Sequence, residues 1–183
     1  MARDKRIAKG RKMNPTLFVF CEGKTEESYI NFLKSAYRLP SLIIHSKVAG
    51  SQITDKFIRL YKKDKPTHAK DHTLLVYDSD VEAVKNKSVQ LTEGKALFSN
   101  PSIELWFLLH FKNQTTFVSA EDCCKELTNR CKDYKKGRLN DKLKEKLTDK
   151  RKEACQRAEK LKPEQNPSTD LYQLIELLET LKK

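Results

Sequence analysis

No stretch of this 183-residue sequence approaches the roughly twenty consecutive apolar residues of a membrane-spanning helix, and the basic amino terminus lacks the apolar core of a signal peptide. The expectation is a soluble, cytoplasmic protein with no membrane partner. Paired cysteine spacing is missing too. The five cysteines, at 21, 123, 124, 131 and 155, are odd in number, and the four histidines, at 45, 68, 72 and 110, are scattered. These patterns argue against a disulfide framework and a His/Cys zinc site, and for reduced thiols. There are no internal repeats or low-complexity tracts, and no Gly-x-x-x-x-Gly-Lys-Ser/Thr stretch, so an ATPase module must come from another protein.

What the chain has in excess is positive charge. Lys and Arg number 37 against 25 Asp and Glu, a net charge of +12. Residues 1–13 carry +5 and residues 130–163 carry +8 of that charge, so the remainder sums to −1. Two basic segments therefore flank a near-neutral body. That layout suits a phosphate backbone held near an acidic site, and it also suits plain solubility of Lys-rich helices. A nucleic acid, DNA or RNA, is the implied partner.

The body is organised around residues 16–33. Thr16 to Cys21 reads as a strand covered on both faces, and after Glu22-Gly23 the apolar residues Tyr29, Ile30, Phe32 and Leu33 fall at helical spacing. A second strand is expected over Leu42–Val48 and a second helix from a Ser51 cap, carrying Ile53, Phe57, Ile58, Leu60 and Tyr61. His72 to Tyr77 reads as a third strand, ending in Asp78-Ser79-Asp80. Residues 81–94 suggest an irregular short helix, and Lys95–Phe98 a fourth strand. A buried helix follows from Pro101, then a Ser119-x-x-Asp122 capping box, one long basic amphipathic helix through Leu143, Leu147, Ala154, Ala158 and Leu161, and a last helix over Leu171–Leu181. The broad apolar face of that last helix suits a core or a homodimer.

Strand, helix, strand, helix, strand implies a parallel sheet whose strand ends share one edge. With the first and third strands as neighbours, about 4.8 Å apart, Glu22, Asp78 and Asp80 can converge on a divalent cation. Glu26 lies one helical turn after Glu22, and carboxylates held together raise one another's pKa unless a cation sits between them. An Asp-Ser-Asp after a strand is also a common solvated turn. Gly23 and Lys24 fit either an ordinary tight turn or a helix start that receives phosphate. Ser99 and Asn100 cap a helix at Pro101 or receive phosphate there. Glu104 and His110, about 120° apart on a buried helix, are expected to have different partners. For Glu104 the choice is a basic partner or a metal, and for His110 a satisfied burial.

Glu22-Gly23 with Glu26, followed by Asp78-x-Asp80 after a later strand, resembles the Toprim signature of topoisomerases, primases and nucleases. More closely, Cys21-Glu22-Gly23-Lys24-Thr25-Glu26, Tyr77-Asp78-Ser79-Asp80, the block Ser99-Asn100-Pro101 to His110-Phe111, and Asn166-Pro167-Ser168-Thr169 look like the RloB/AbiLii family, which is linked with bacterial restriction and phage-defence loci. After residues 1–14, which their basic, apolar-poor composition marks as an expected flexible tail, the resemblance implies a Toprim-like α/β domain over residues 15–118 with a basic helical subdomain at 119–183 packed on it. It implies a nuclease dependent on Mg²⁺ or Mn²⁺, with Glu22, Glu26, Asp78 and Asp80 as catalytic and metal-binding residues and Glu22 as ligand or general base. Lys24, Ser99 and Asn100 would bind substrate, supported by Gly23, Glu104 and His110, and a partner ATPase or defence protein would supply control. The alternative is a nucleic-acid- or partner-binding module that keeps the fold without catalysis. An aspartyl-nucleophile phosphohydrolase fits less well, since its Asp-x-Asp would stand where Cys21-Glu22 does.

Overall fold

The computed structural model describes residues 14–39, 43–50, 53–78 and 91–182. Along these the chain forms β1 (Thr16–Cys21), α1 (Lys24–Tyr37), β2 (Ile43–Val48), α2 (Asp55–Lys62), β3 (His72–Asp78), β4 (Lys95–Asn100), α3 (Ile103–Leu109), α4 (Ala120–Arg130), α5 (Asp141–Asp149), α6 (Arg151–Glu159), β5 (Ser168–Thr169) and α7 (Leu171–Lys182). The strands lie in the order β2-β1-β3-β4-β5, with all neighbours parallel except the β4–β5 pair.

The period of two in the strands sorts the core into two layers. Leu17, Val19 and Cys21 of β1, with Leu74 and Val76 of β3 and Leu97 of β4, face the larger cluster, which also holds Tyr29, Ile30 and Leu33 of α1 and the buried faces of α3 to α7. Phe18, Phe20, Leu75 and Tyr77 point the other way, against Ile53 and α2. Every residue of β1 is buried, which explains why it reads as a continuous apolar run. α3 is buried around its whole circumference, with Trp106 and Phe107 fully enclosed. Each such side chain contributes roughly 1.5–3 kcal/mol of burial. Leu171, Leu174, Ile175 and Leu178 put the apolar face of α7 into the same core, so residues on both sides of position 118 share one cluster.

Four elements differ from the sequence reading. α2 begins at Asp55 with Thr54 as its cap, the Oγ1 accepting from Phe57 N at 3.1 Å, while Ser51 and the segment 79–90 lie outside the described residues. α3 begins at Ile103 because Ser99 and Asn100 extend β4 and pair with β5 instead of capping a helix. The single long helix is two, α5 and α6, broken at Lys150 (φ −106°, ψ 17°). Leu147 and Ala154 are seven residues apart, two full turns, so the apolar stripe continues in register across the break and conceals it. Asn166-Pro167-Ser168-Thr169 does more than stop a helix, since it supplies the fifth strand. All five cysteines are free thiols.

Candidate functional site

β1 and β3 are adjacent, yet the chain leaves β1 for β2 on one side and leaves β3 for β4 on the other. That reversal is the topological switch point of an open α/β sheet, where a crevice opens outside the carboxyl ends of the strands. Glu22 is the first residue past β1, its amide donating to the Val76 carbonyl at 3.2 Å. Asp78 is the last residue of β3. The Asp78 amide donates to Glu22 Oε2 at 3.3 Å, tying the two acids together across the strands. Asp78 Oδ1 in turn accepts the Ile103 amide at 2.8 Å, which brings the start of α3 to the same point.

Glu26 completes the cluster from α1. Gly23 is the helix N-cap, so Glu26 stands at the third helical position, from which a capping-box side chain folds back over the cap. It does so here: a Cβ on Gly23 would lie 2.8 Å from Glu26 Oε2. Only 4% of Glu26 is exposed, and its Oε2 is buried without a hydrogen-bond partner. Burial pushes its carboxyl pKa up, and the charges of Glu104 and Glu22 add to this, against the pull of the Glu26 and Gly23 amides. Burial is also the main cause for Asp78, followed by the charges of Glu26 and Glu104. Its pKa is raised to about 8 in spite of the Ile103 amide.

Glu104 sits behind these acids, 1% exposed, with both oxygens engaged. Oε2 accepts from Ser102 Oγ at 2.7 Å and Oε1 from the Tyr134 hydroxyl at 2.9 Å, with Lys136 Nζ 4.0 Å away. A carboxylate so satisfied orders the wall of the site, whereas Glu26 keeps an oxygen to spare.

Among the described residues, no three His, Cys, Asp or Glu side chains form a ready-made metal cage. Asp80, the fourth expected ligand, lies outside those residues. The groups present still suit a hard divalent cation. Mg²⁺ takes oxygen ligands, commonly one or two carboxylates with waters and substrate phosphates completing its shell. The unpartnered Glu26 oxygen and the raised pKa values of Glu26 and Asp78 both express negative charge short of a counterion.

The remaining expected residues divide. Lys24 opens α1, exposed beside the site. Ser99 is buried in β4, its hydroxyl 2.8 Å from that of Thr169, and Asn100 pairs with Ser168, so the two Asn-Pro-Ser segments meet side by side. His110 has partners separate from those of Glu104, as the helical angle implies. Its Nδ1 donates to the Trp106 carbonyl at 2.9 Å, but its buried Nε2 has no partner, so the ring is half satisfied. Sequence reasoning missed Ser102, the Ile103 amide, Tyr134 and Lys136. Nothing in local pattern marks Tyr134, which reaches Glu104 over 30 residues. For Lys136 the signal is Gly137, since a glycine among basic residues marks a tight turn.

A mostly parallel five-stranded sheet with flanking helices and an acidic pair at its switch point defines an α/β protein of Toprim-like fold. The family model for RloB-like protein matches residues 17–178, nearly the whole chain, and the chain belongs to that family. No curated protein and no solved structure matches it.

Proposed function

We propose that this RloB-like protein is a nuclease dependent on Mg²⁺ or Mn²⁺ that hydrolyses phosphodiester bonds of DNA or RNA, acting as an effector in phage defence or restriction. The observation that carries the reading is the meeting of Glu22, Asp78 and Glu26 at the switch point, where burial and acidic neighbours raise the Asp78 pKa to about 8. Glu22, Asp78 and the spare oxygen of Glu26 are the groups that would hold the ion, together with Asp80 from the family pattern. The ion supplies charge neutralisation on the phosphoryl group and Lewis acidity toward water. The chain's own part is positional: the Asp78 amide fixes the Glu22 carboxylate, the Ile103 amide fixes that of Asp78, and Glu104 braces the wall through Tyr134 and Ser102. Basic surface around the site would draw in the substrate.

The test is cleavage of single-stranded and duplex DNA and RNA by purified protein with Mg²⁺ or Mn²⁺. Activity is expected in the wild type and is lost in Asp78→Ala and in Glu22→Ala. Equal cutting by all three sinks the assignment. A second reading, a binding module without catalysis, draws support from the lack of a three-ligand cage among the described residues. It predicts salt-sensitive binding that survives loss of the acids.

A further inference from the structure

The basic segment 135–138 carries charge that the acidic edge leaves unused. Lys135 and Arg138 form an isolated antiparallel bridge, the Arg138 amide donating to the Lys135 carbonyl at 3.1 Å, so the segment is a tight turn. Gly137 has φ +82°, a conformation that a side chain would strain. The same glycine fixes the turn in place. Its amide donates to Thr25 Oγ1 at 2.9 Å and its carbonyl accepts from Ser28 Oγ at 2.7 Å. Both partners lie at the start of α1, the helix that carries Glu26, and a Cβ on Gly137 would stand 3.6 Å from that of Lys24.

Three exposed cations are thereby held against the amino-terminal end of α1. Lys136 leans toward Glu104, 4.0 Å away, and among the described residues Lys135 and Arg138 make no ion pair. Beside the turn a cleft of about 510 Å³ runs along α1, with Ser28, Asn31 and Ser35 on one wall and Arg138 and Lys144 on the other. The Ser28 and Ser35 hydroxyls already donate to the Gly137 and Asn31 carbonyls, so the donors this cleft offers to phosphate oxygens are the Asn31 amide, the Arg138 guanidinium and the Lys144 ammonium. Lys144 is partly neutralised by Asp141 at 2.9 Å, so the turn holds most of the available charge.

The geometry points to a clamp for a phosphodiester backbone: the Lys135–Arg138 turn grips the strand next to the Glu22–Asp78 edge, and the cleft along α1 carries it onward. The inference rests on the nuclease reading for the nature of the strand and adds where the strand is held. Many surface lysines merely solvate a helix, but these are set by two hydrogen bonds to the helix of the candidate site.

The test measures binding of labelled single-stranded and duplex oligonucleotides by fluorescence anisotropy in EDTA, over a salt series, so that catalysis plays no part. Lys135→Ala/Lys136→Ala/Arg138→Ala should weaken binding on the order of a hundredfold at about 0.1 M salt. It should flatten the slope of log Kd against log salt by about 2 for a single strand or about 3 for a duplex. Thr25→Val/Ser28→Ala leaves every charge and frees the turn, so affinity should fall roughly fivefold with the slope unchanged. The charge-matched control is Lys56→Ala/Arg59→Ala/Lys63→Ala on α2 and its C-cap, a helix that packs on the other face of the sheet. It should cost far less. An indifferent turn variant, or an α2 variant that costs as much, overturns the clamp while leaving the nuclease reading standing. A wild type that binds neither strand overturns the nucleic-acid reading itself.

Discussion

Replacing Asp78 with asparagine should stabilise the metal-free protein, although it removes the residue on which the proposed activity most depends. In the unfolded chain an aspartate releases its proton near pH 4, whereas in the folded protein burial and the charges of Glu26, Glu104 and Glu22 delay release until about pH 8. Between those values the folded state binds more protons than the unfolded one, so stability falls as pH rises, and the penalty is complete only above about pH 8. At pH 7 roughly three pH units of that window have been crossed, on the order of 4 kcal/mol. The asparagine side chain carries no charge and still offers an oxygen to the Ile103 amide, which lies 2.8 Å from Asp78 Oδ1. At pH 7 the folded Asp78 carboxyl is itself neutral, so the bond from that amide changes little. The net gain is about 4 kcal/mol, or roughly 8–16 °C in Tm for a chain of this size. The assay is thermal unfolding of wild type and Asp78→Asn in EDTA from about pH 4 to 8, then with Mg²⁺ added. The variant should melt higher at pH 8, lose its advantage near pH 4, and lack the Mg²⁺-dependent rise expected of the wild type under the proposed function. A variant that melts lower at every pH, or by a margin independent of pH, refutes the reasoning.

Three further outcomes follow from the same contacts. Gly23→Ala places a Cβ 2.8 Å from Glu26 Oε2 at a φ of −132°, which any residue adopts. The movable carboxylate should therefore yield, with apparent Mg²⁺ affinity by calorimetry down about tenfold or more and stability changed by less than about 1 kcal/mol. Tyr134→Phe deprives buried Glu104 Oε1 of its 2.9 Å donor. Urea unfolding should show a loss of about 1–2 kcal/mol, and a loss indistinguishable from zero would mean that Lys136 alone satisfies the oxygen. His110 is held down to about pKa 4 by burial, with Arg151 and Arg157 adding repulsion. Its contribution is therefore intact above pH 6.5 and is lost as pH falls toward 4, by about 3 kcal/mol, as read from the pH dependence of stability of wild type minus His110→Gln.

The strands were legible in the sequence because their cause is local. A parallel strand buried on both faces must be apolar throughout, and Thr16–Cys21 is so. The adjacency of β1 and β3 was accessible for a related reason: the crossover rules leave few orders for three strands joined by helices. β5 was not, since Ser168 and Thr169 carry no apolar alternation. What makes them a strand is a distant partner, β4, through the pairs Ser99↔Thr169 and Asn100↔Ser168, the first of which spans 70 residues. The break at Lys150 was concealed because two whole turns separate the flanking apolar residues.

The site divides along the same line. That acids would gather at the end of β1 and β3 follows from strand order alone, and Glu22 and Asp78 do meet there. The difference between Glu26 and Glu104 does not follow. Both are acids in the first turn of a helix, and both are buried within electrostatic reach of Asp78. What separates them is saturation: Tyr134 and Ser102 fill the oxygens of Glu104, while Glu26 turns one oxygen into a buried space with no donor. A buried acceptor without a partner costs about 1–3 kcal/mol, more when charged. A cation placed there would cancel this cost beside two further acids, so the same hydrogen-bond count that makes Glu104 a brace is what supports the proposal of Glu26 as a ligand.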